Sequence, residues 1–196
     1  MRIALVLLAA GASRRFGRPK ALLTLGGRTF LERILDTARA AGLSPLLVTV
    51  AADDEALHAV LPGDAPAVIN DDLEAGPMGG IRRAVERLLE RDDVGGFLLW
   101  PVDAPRVRDA TVRELALAGP RGDVAIPTHE GRRGHPAYFG RPTFARFLDR
   151  RYATPREVQA ASGPRLIELP VDDPSVLDDI DTPEDHARLL AEEGEG

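Results

Sequence analysis

Residues 3–9 read IALVLLA, an unbroken apolar run that passes through Ala10 into Gly11. A strand with one wet face alternates polar and apolar residues. A continuous apolar run of this length instead marks a strand buried on both faces, the situation of a parallel strand covered by helices on either side. The chain then keeps the rhythm that such a sheet requires. Phe30, Leu31, Ile34, Leu35 and Ala38 recur at helical spacing within residues 29–41, and Gly42 stands where a helix can end. Residues 46–51 read as a strand and 54–61 as a short helix. Residues 67–70 form a short strand running into an acidic, glycine-bearing loop. Residues 78–91 form a helix with Ile81, Val85, Leu88 and Leu89 on one face, 97–100 an apolar strand ending at Pro101, and 109–118 a helix. Such alternation predicts a doubly wound α/β sheet. The rhythm loosens after that. Strands at 123–127 and 136–140 flank the polar loop THEGRRGHP, and short helices follow near 141–149 and 155–161. Residues 165–169 form a further strand, and 183–190 a last helix opened by the cap Thr182, with 191–196 expected to fray. The 196 residues are expected to form one domain, without repeat or linker.

Composition removes several classes of function. Hydrophobic residues make up 44% of the chain, enough for a sizeable core. No apolar run approaches the ~20 residues that cross a bilayer. The opening residues resemble a signal peptide in outline, but they lead straight into a basic glycine loop and a helical pattern, so they read as a first buried strand. The absence of cysteine excludes disulfides, thiolate metal sites and a cysteine nucleophile, and it fits a cytoplasmic protein. Net charge is −6 but polarised: residues 1–50 hold eight basic and two acidic side chains, and residues 166–196 hold one basic and eleven acidic ones. This acidic balance argues against nucleic-acid binding, whereas the basic N-terminal loop suits one small polyanion. Of 25 basic residues 24 are arginine; Lys20, at the end of that loop, is the single lysine. A compact ammonium used once in an arginine-rich chain points to a position where a planar guanidinium does not serve.

Five segments carry candidate chemistry. Gly11-Ala-Ser-Arg-Arg-Phe-Gly-Arg-Pro-Lys20 follows the first strand, at the strand end where open α/β sheets bind ligands, and offers glycines, a hydroxyl and four cations to phosphates. It is neither GxGxxG, which needs glycine at Ser13 and Phe16, nor GxxxxGK[ST], which needs Gly-Lys at Phe16-Gly17. Asp103, in Trp-Pro-Val-Asp-Ala-Pro, suits a Mg²⁺ ligand and a turn aspartate equally. In Asp178-Asp-Ile-Asp-Thr-Pro-Glu-Asp185, the last four residues have the marks of a helix start, while Asp179 and Asp181 are either structural or the source of a second metal-binding carboxylate. Gly76-Pro-Met-Gly-Gly80, after Asn70, is either a turn or a helix start that a ligand approaches closely. His135, in Arg-Arg-Gly-His-Pro, is either structural or a contact to a phosphate or base.

Together these segments resemble the MobA/MocA-like nucleotidyltransferases of molybdenum-cofactor biosynthesis. The family opens LAAGxSxRMGxxKxLL, matched from Leu8 to Leu23 with Phe16 in place of methionine; its strand-end aspartate matches Asp103, its RGHP matches Arg133 to Pro136, and its DIDTPED matches Asp179 to Asp185. The resemblance implies an α/β fold, a Rossmann-like three-layer α/β/α sandwich with a mostly parallel mixed sheet of the nucleotide-diphospho-sugar transferase type. It implies transfer of a nucleoside monophosphate from a triphosphate, CTP favoured, to a phosphorylated acceptor such as molybdopterin, with a molybdoenzyme or its chaperone as candidate protein partner. The nucleotide would lie on Leu8, Ala9, Ala10, Gly11, Ser13, Arg15, Lys20, Asn70, Gly76, Met78 and Gly79, and the acceptor on Arg133, Gly134 and His135. Asp103 and Asp181, with Asp179, would hold Mg²⁺, and Lys20, Arg15 and Asp103 would carry catalysis. Two departures bear on substrate. Gly76-Pro-Met-Gly-Gly-Ile is nearer the guanylyl branch, and residues 152–158 (YATPREV) stand where the cytidylyl branch often has GDxGAR. A guanylyl- or other nucleotidyltransferase acting on a different small phosphate, and a non-catalytic nucleotide-binding relative, are the alternatives.

Overall fold

The computed structural model describes residues 1–10, 16–72 and 74–194. In chain order its strands are β1 (Arg2–Leu8), β2 (Thr24–Leu25), β3 (Arg28–Thr29), β4 (Leu46–Ala51), β5 (Ala67–Asn70), β6 (Val94–Pro101), β7 (Val124–His129), β8 (Arg132–Arg133), β9 (Ala137–Gly140) and β10 (Leu166–Pro170). Its α-helices are α1 (Phe30–Ala40), α2 (Glu55–His58), α3 (Pro77–Leu89), α4 (Asp109–Ala118), α5 (Phe144–Leu148), α6 (Pro155–Ala160) and α7 (Pro183–Gly194). The main sheet runs β10-β7-β9-β6-β1-β4-β5, with β8 paired to β7. β9 runs antiparallel to both neighbours, and the other strands of that path pair in parallel. The sheet is thus mixed and mostly parallel, with helices on both faces.

The apolar run of β1 feeds both faces at once. Leu5 and Leu7 enter one core with Phe30, Leu31, Ile34, Leu98 and Trp100, whereas Ala4 and Val6 enter the other with Ile81, Val85, Phe97 and Leu99. Ala4, Leu5, Val6 and Leu7 are each 0% exposed, and burial of a valine or leucine side chain is worth roughly 1.5–3 kcal/mol. The second core is closed by Phe97, Phe139, Phe144 and Phe147, with ring centroids 4.9–5.6 Å apart. Capping follows the sequence: Thr29 and Glu32 form a reciprocal capping box at α1, and Thr182 and Asp185 exchange the equivalent bonds at the start of α7.

Several boundaries differ from expectation, each for a packing reason. β6 begins at Val94, not Phe97, because Gly95 and Gly96 give no periodic signal. A Cβ on Gly96 would meet the Tyr138 hydroxyl at 2.6 Å and the Phe139 carbonyl oxygen at 2.7 Å, so the strand needs a bare backbone there. α2 stops after one turn, with only Leu57 buried. α7 continues past residue 190 to Gly194, its last turns held by an ion pair from Glu192 to Arg106. The β2–β3 hairpin was not read from sequence. Its signal was Gly26-Gly27, both at positive φ.

The topology also places the functional edge. From β1 the sheet extends to β4 and β5 on one side, and to β6 and the later strands on the other. A crevice opens where such an order reverses, beyond the C-terminal ends of β1 and β6. The segments that leave those ends begin at Ala9 and at Val102.

Candidate functional site

The end of β6 is built to present one carboxylate. Trp100 is fully buried, and its indole N–H donates to the Ala104 carbonyl at 2.9 Å. The Val102 N–H donates to the Leu8 carbonyl at 3.2 Å, tying the turn to the end of β1. Val102 and Ala104 fall into the core, so Asp103 between them is turned into the crevice, its side chain one quarter exposed.

A second segment, residues 172–181, is stitched onto this turn. Asp173, 1% exposed, accepts from the Arg108 N–H at 2.9 Å, the Thr111 hydroxyl at 2.7 Å and the Ser175 N–H at 3.1 Å. Asp178 receives both arms of the Arg106 guanidinium at 2.9 Å each. Ile180 is buried, and its N–H donates to the Asp103 carbonyl at 3.3 Å. Its neighbours Asp179 and Asp181 are exposed, and an oxygen of each lies within 4.8 Å of the other and of an Asp103 oxygen. The loop that follows β1 brings Lys20 to the same place. The Lys20 ammonium donates to Asp181 at 2.5 Å and stands 3.9 Å from Asp103, with its side chain 16% exposed. It also lies 6.0 Å from the centroid of the Phe16 ring.

Among the described residues, three carboxylates around one ammonium leave a local excess of negative charge. Burial pushes the Asp103 carboxyl up to about 6, Lys20 opposes the shift, and Asp179 and Asp181 add to it. A trio of hard carboxylate oxygens with net charge to spare matches the donor set of Mg²⁺ or Mn²⁺. A divalent cation fits these residues.

Beside the trio, towards β7 and β9, lies a cavity of about 490 Å³. Leu8, Leu99, Ile126 and Ala137 supply apolar walls; His135, Arg156 and Gln159 supply polar groups. Gly134 and His135, two of the residues expected to meet the acceptor, both line it. Arg133 lines it too, but its guanidinium is engaged by Glu168 at 2.6–2.8 Å. Arg156 and Gln159 come from α6; Arg156 lies within the 152–158 stretch that departs from the cytidylyl pattern and Gln159 directly after it, and sequence reasoning did not single them out. The backbone N–H groups of Gly134 and His135 donate to Pro127 and Val176 at 2.8 and 2.7 Å. A Cβ on Gly134 would stand 2.2 Å from the Val176 carbonyl oxygen. Gly134→Ala must therefore displace the turn that leads to Asp179. It is expected to lower stability by about 1–3 kcal/mol, which a thermal melt reads as a drop of several degrees; an unshifted melt contradicts the packing.

Gly11, Ser13 and Arg15 lie outside the described residues. Ala9 is buried, its N–H donating to the Thr49 carbonyl at 3.2 Å, and Ala10 beside it is half-buried. Asn70 is buried at the end of β5; its amide N–H donates to the Gly76 carbonyl at 2.9 Å, and its side-chain oxygen has no hydrogen-bond partner among the described residues. Gly76 adopts φ 56°, ψ −136° as the residue before α3, a conformation that requires glycine. Met78 is 1% exposed, within the second core. A Cβ on Gly79 would meet the Asn70 side-chain oxygen at 2.3 Å and the Asp72 carbonyl oxygen at 2.5 Å; one on Gly80 would meet Thr49 at 3.0 Å. The paired glycines thus let α3 sit close against β4 and β5, and Gly79 also lines a cavity of about 330 Å³ with Asp71, Asp72 and Arg82.

Comparison with known proteins agrees with this geometry. Residues 5–165 match the family model of the MobA-like NTP transferase domain. The chain is 30% identical over 139 residues to the molybdenum cofactor guanylyltransferase of Rhizobium meliloti, covering 68% of this chain and 60% of that one. It is 30% identical over 198 residues to the nicotine blue oxidoreductase of Paenarthrobacter nicotinovorans, covering 94% and 95%. The chain spans between one half and two thirds of the curated guanylyltransferases it matches. The crystal structure of Rv0371c from Mycobacterium tuberculosis superposes with a TM-score of 0.84 at 33% identity, covering 97% of this chain and 98% of that one. A complex of the same protein with manganese superposes at 0.80 and 31% identity, covering 97% and 99%.

Proposed function

The chain belongs to the MobA-like NTP transferase family, and from that membership we propose that it moves a nucleoside monophosphate from a nucleoside triphosphate, CTP by preference, to a small phosphorylated acceptor. The reading rests above all on one observation: Lys20, Asp103 and Asp181, from three distant segments, meet at the crevice between the ends of β1 and β6. An oxygen of the acceptor phosphate attacks the α-phosphorus, a new P–O bond forms, and the bond to the β-phosphate breaks to release pyrophosphate. The acceptor phosphate is already a nucleophile, so no covalent enzyme intermediate is needed. The residues have to align the two substrates and offset charge on the leaving group.

In this proposal Asp103, Asp179 and Asp181 hold Mg²⁺ or Mn²⁺, which supplies positive charge to the phosphate oxygens. Lys20, with Arg15, binds the triphosphate. The loop after β1 follows the edge of the nucleotide, and Asn70 with the start of α3 borders its base. The acceptor occupies the cavity lined by Gly134, His135, Arg156 and Gln159. Apolar walls with a cationic rim suit a compact ring system bearing a phosphate, of which molybdopterin is the example the family offers.

A melting-temperature screen against the four common ribonucleoside triphosphates, each with and without Mg²⁺ or Mn²⁺, tests the reading. A ligand at 100 times its Kd stabilises by about 2.7 kcal/mol, or roughly 5–10 °C for a chain of this size. One triphosphate, CTP, is expected to give that shift, and only with the cation present. A flat response to all four overturns the proposal.

A second reading is favoured by the nicotine blue oxidoreductase, which aligns over nearly the whole chain. Redox chemistry on the same scaffold would place the pyrophosphate of a nicotinamide dinucleotide where the triphosphate is proposed to lie. Oxidation of a reduced nicotinamide nucleotide, followed by absorbance, separates it from pyrophosphate release.

A further inference from the structure

Asp103 and Asp179 are 76 positions apart in sequence, and like charges brought this close push their segments apart. Something must hold the two segments in register. The backbone bond from Ile180 to Asp103, at 3.3 Å, is long for this purpose. The firmer tie is Arg106. It leaves the same loop as Asp103, three positions on, and its guanidinium grips Asp178 with two parallel bonds of 2.9 Å; a third N–H reaches Glu192 on α7 at 2.7 Å. The side chains of Arg106 and Asp178 are only 25% and 10% exposed, so water competes weakly for this pair. A two-pronged guanidinium–carboxylate contact fixes orientation as well as distance. It draws Asp178 onto the loop, immediately before the two carboxylates that face the crevice.

We propose that Arg106 is a positioning residue that sets the spacing of Asp103, Asp179 and Asp181 for a divalent cation. This rests on the metal-site reading given above, and Arg106 itself touches neither cation nor substrate.

The sign of one measurement separates positioning from simple charge. Removing a cation near an anionic trio strengthens the trio's attraction for Mn²⁺, so charge alone predicts tighter binding in Arg106→Gln. Positioning predicts weaker binding, since loss of a partner that orients metal ligands typically costs 10–100-fold in affinity. Mn²⁺ alone is titrated into the full chain, with the free ion followed by electron paramagnetic resonance and each variant's melting temperature recorded. The expected result is a Kd raised about tenfold or more in Arg106→Gln and by less in Arg106→Lys, which keeps the charge but loses the fork. Arg39→Gln breaks a comparable two-pronged pair, between α1 and Asp64, that includes none of the three carboxylates and neither Arg106 nor Asp178, and is expected to leave the Kd unchanged. Unchanged or tighter binding in Arg106→Gln overturns the proposal. Should that variant fail to fold, an unchanged Kd in Arg106→Lys does the same. A wild-type chain that binds no Mn²⁺ overturns the metal reading and this proposal with it, and that outcome is visible before any variant is made.

Discussion

Asparagine in place of Asp103 is expected to lower turnover about a thousandfold or more and, at neutral pH, to raise the melting temperature. The first effect follows from geometry. Asp103 is the one carboxylate of the trio fixed by the sheet itself, through the buried neighbours Val102 and Ala104 and the Trp100 bond to the same turn. An amide oxygen keeps the shape but gives up the charge a divalent cation requires. The second effect follows from electrostatics. Burial and the nearby Asp179 and Asp181 raise the folded-state pKa of Asp103 to about 6. The fold therefore holds this proton more tightly than the unfolded chain does. The group's favourable contribution is full below the unfolded value of 3.8 and is lost as pH rises through about 6. Above that, the ionised carboxylate costs on the order of 2–3 kcal/mol, which asparagine removes. Melts at pH 4 and pH 7.5, without metal, should show the variant gaining on wild type only at the higher pH. A variant less stable than wild type at pH 7.5 contradicts the account, and undiminished metal-dependent turnover removes Asp103 from the site.

Lys20→Ala should be the companion result: turnover down by about 10²–10³, with a much smaller loss of stability. Lys20→Arg is expected to fail as well. The ammonium is only 16% exposed and sits between Asp181 at 2.5 Å and Asp103 at 3.9 Å, with the Phe16 ring nearby. A planar guanidinium is longer, needs in-plane partners, and cannot turn as a point charge between carboxylate and phosphate. Steady-state kinetics with the triphosphate chosen by the melting screen decides the matter, and full activity in Lys20→Arg would refute the argument.

Reading these residues from sequence succeeded where the signal was periodic and local. β1, α1 and α4 fell where their apolar spacing put them. The cap at Thr182 appeared with its reciprocal Asp185 bonds. Reading failed where the reason for a residue lay across the fold. The packing of Gly79 and Gly80 against Asn70, Asp72 and Thr49 was not legible in the sequence. Nor was the burial of the Met78 side chain in the second core. Arg106 and Asp178, 72 positions apart, carried no signal at all, because a pair joined only through folding leaves no periodicity behind.

By itself, then, the sequence determined that an apolar strand buried on both faces would feed a phosphate-suited loop, and that the chain's single lysine would close that loop. It also offered Asp103 and the Asp179–Asp181 pair as candidate cation ligands, each with a structural alternative. Tertiary structure alone decided that these segments meet. The strand order sets the ends of β1 and β6 side by side, and Ile180, Asp173 and the Arg106 fork bring residues 172–181 onto the same turn. The physical reason is range. Side-chain burial and capping act over a few residues and are written in local spacing, whereas the assembly of like charges needs distant groups to hold it against its own repulsion.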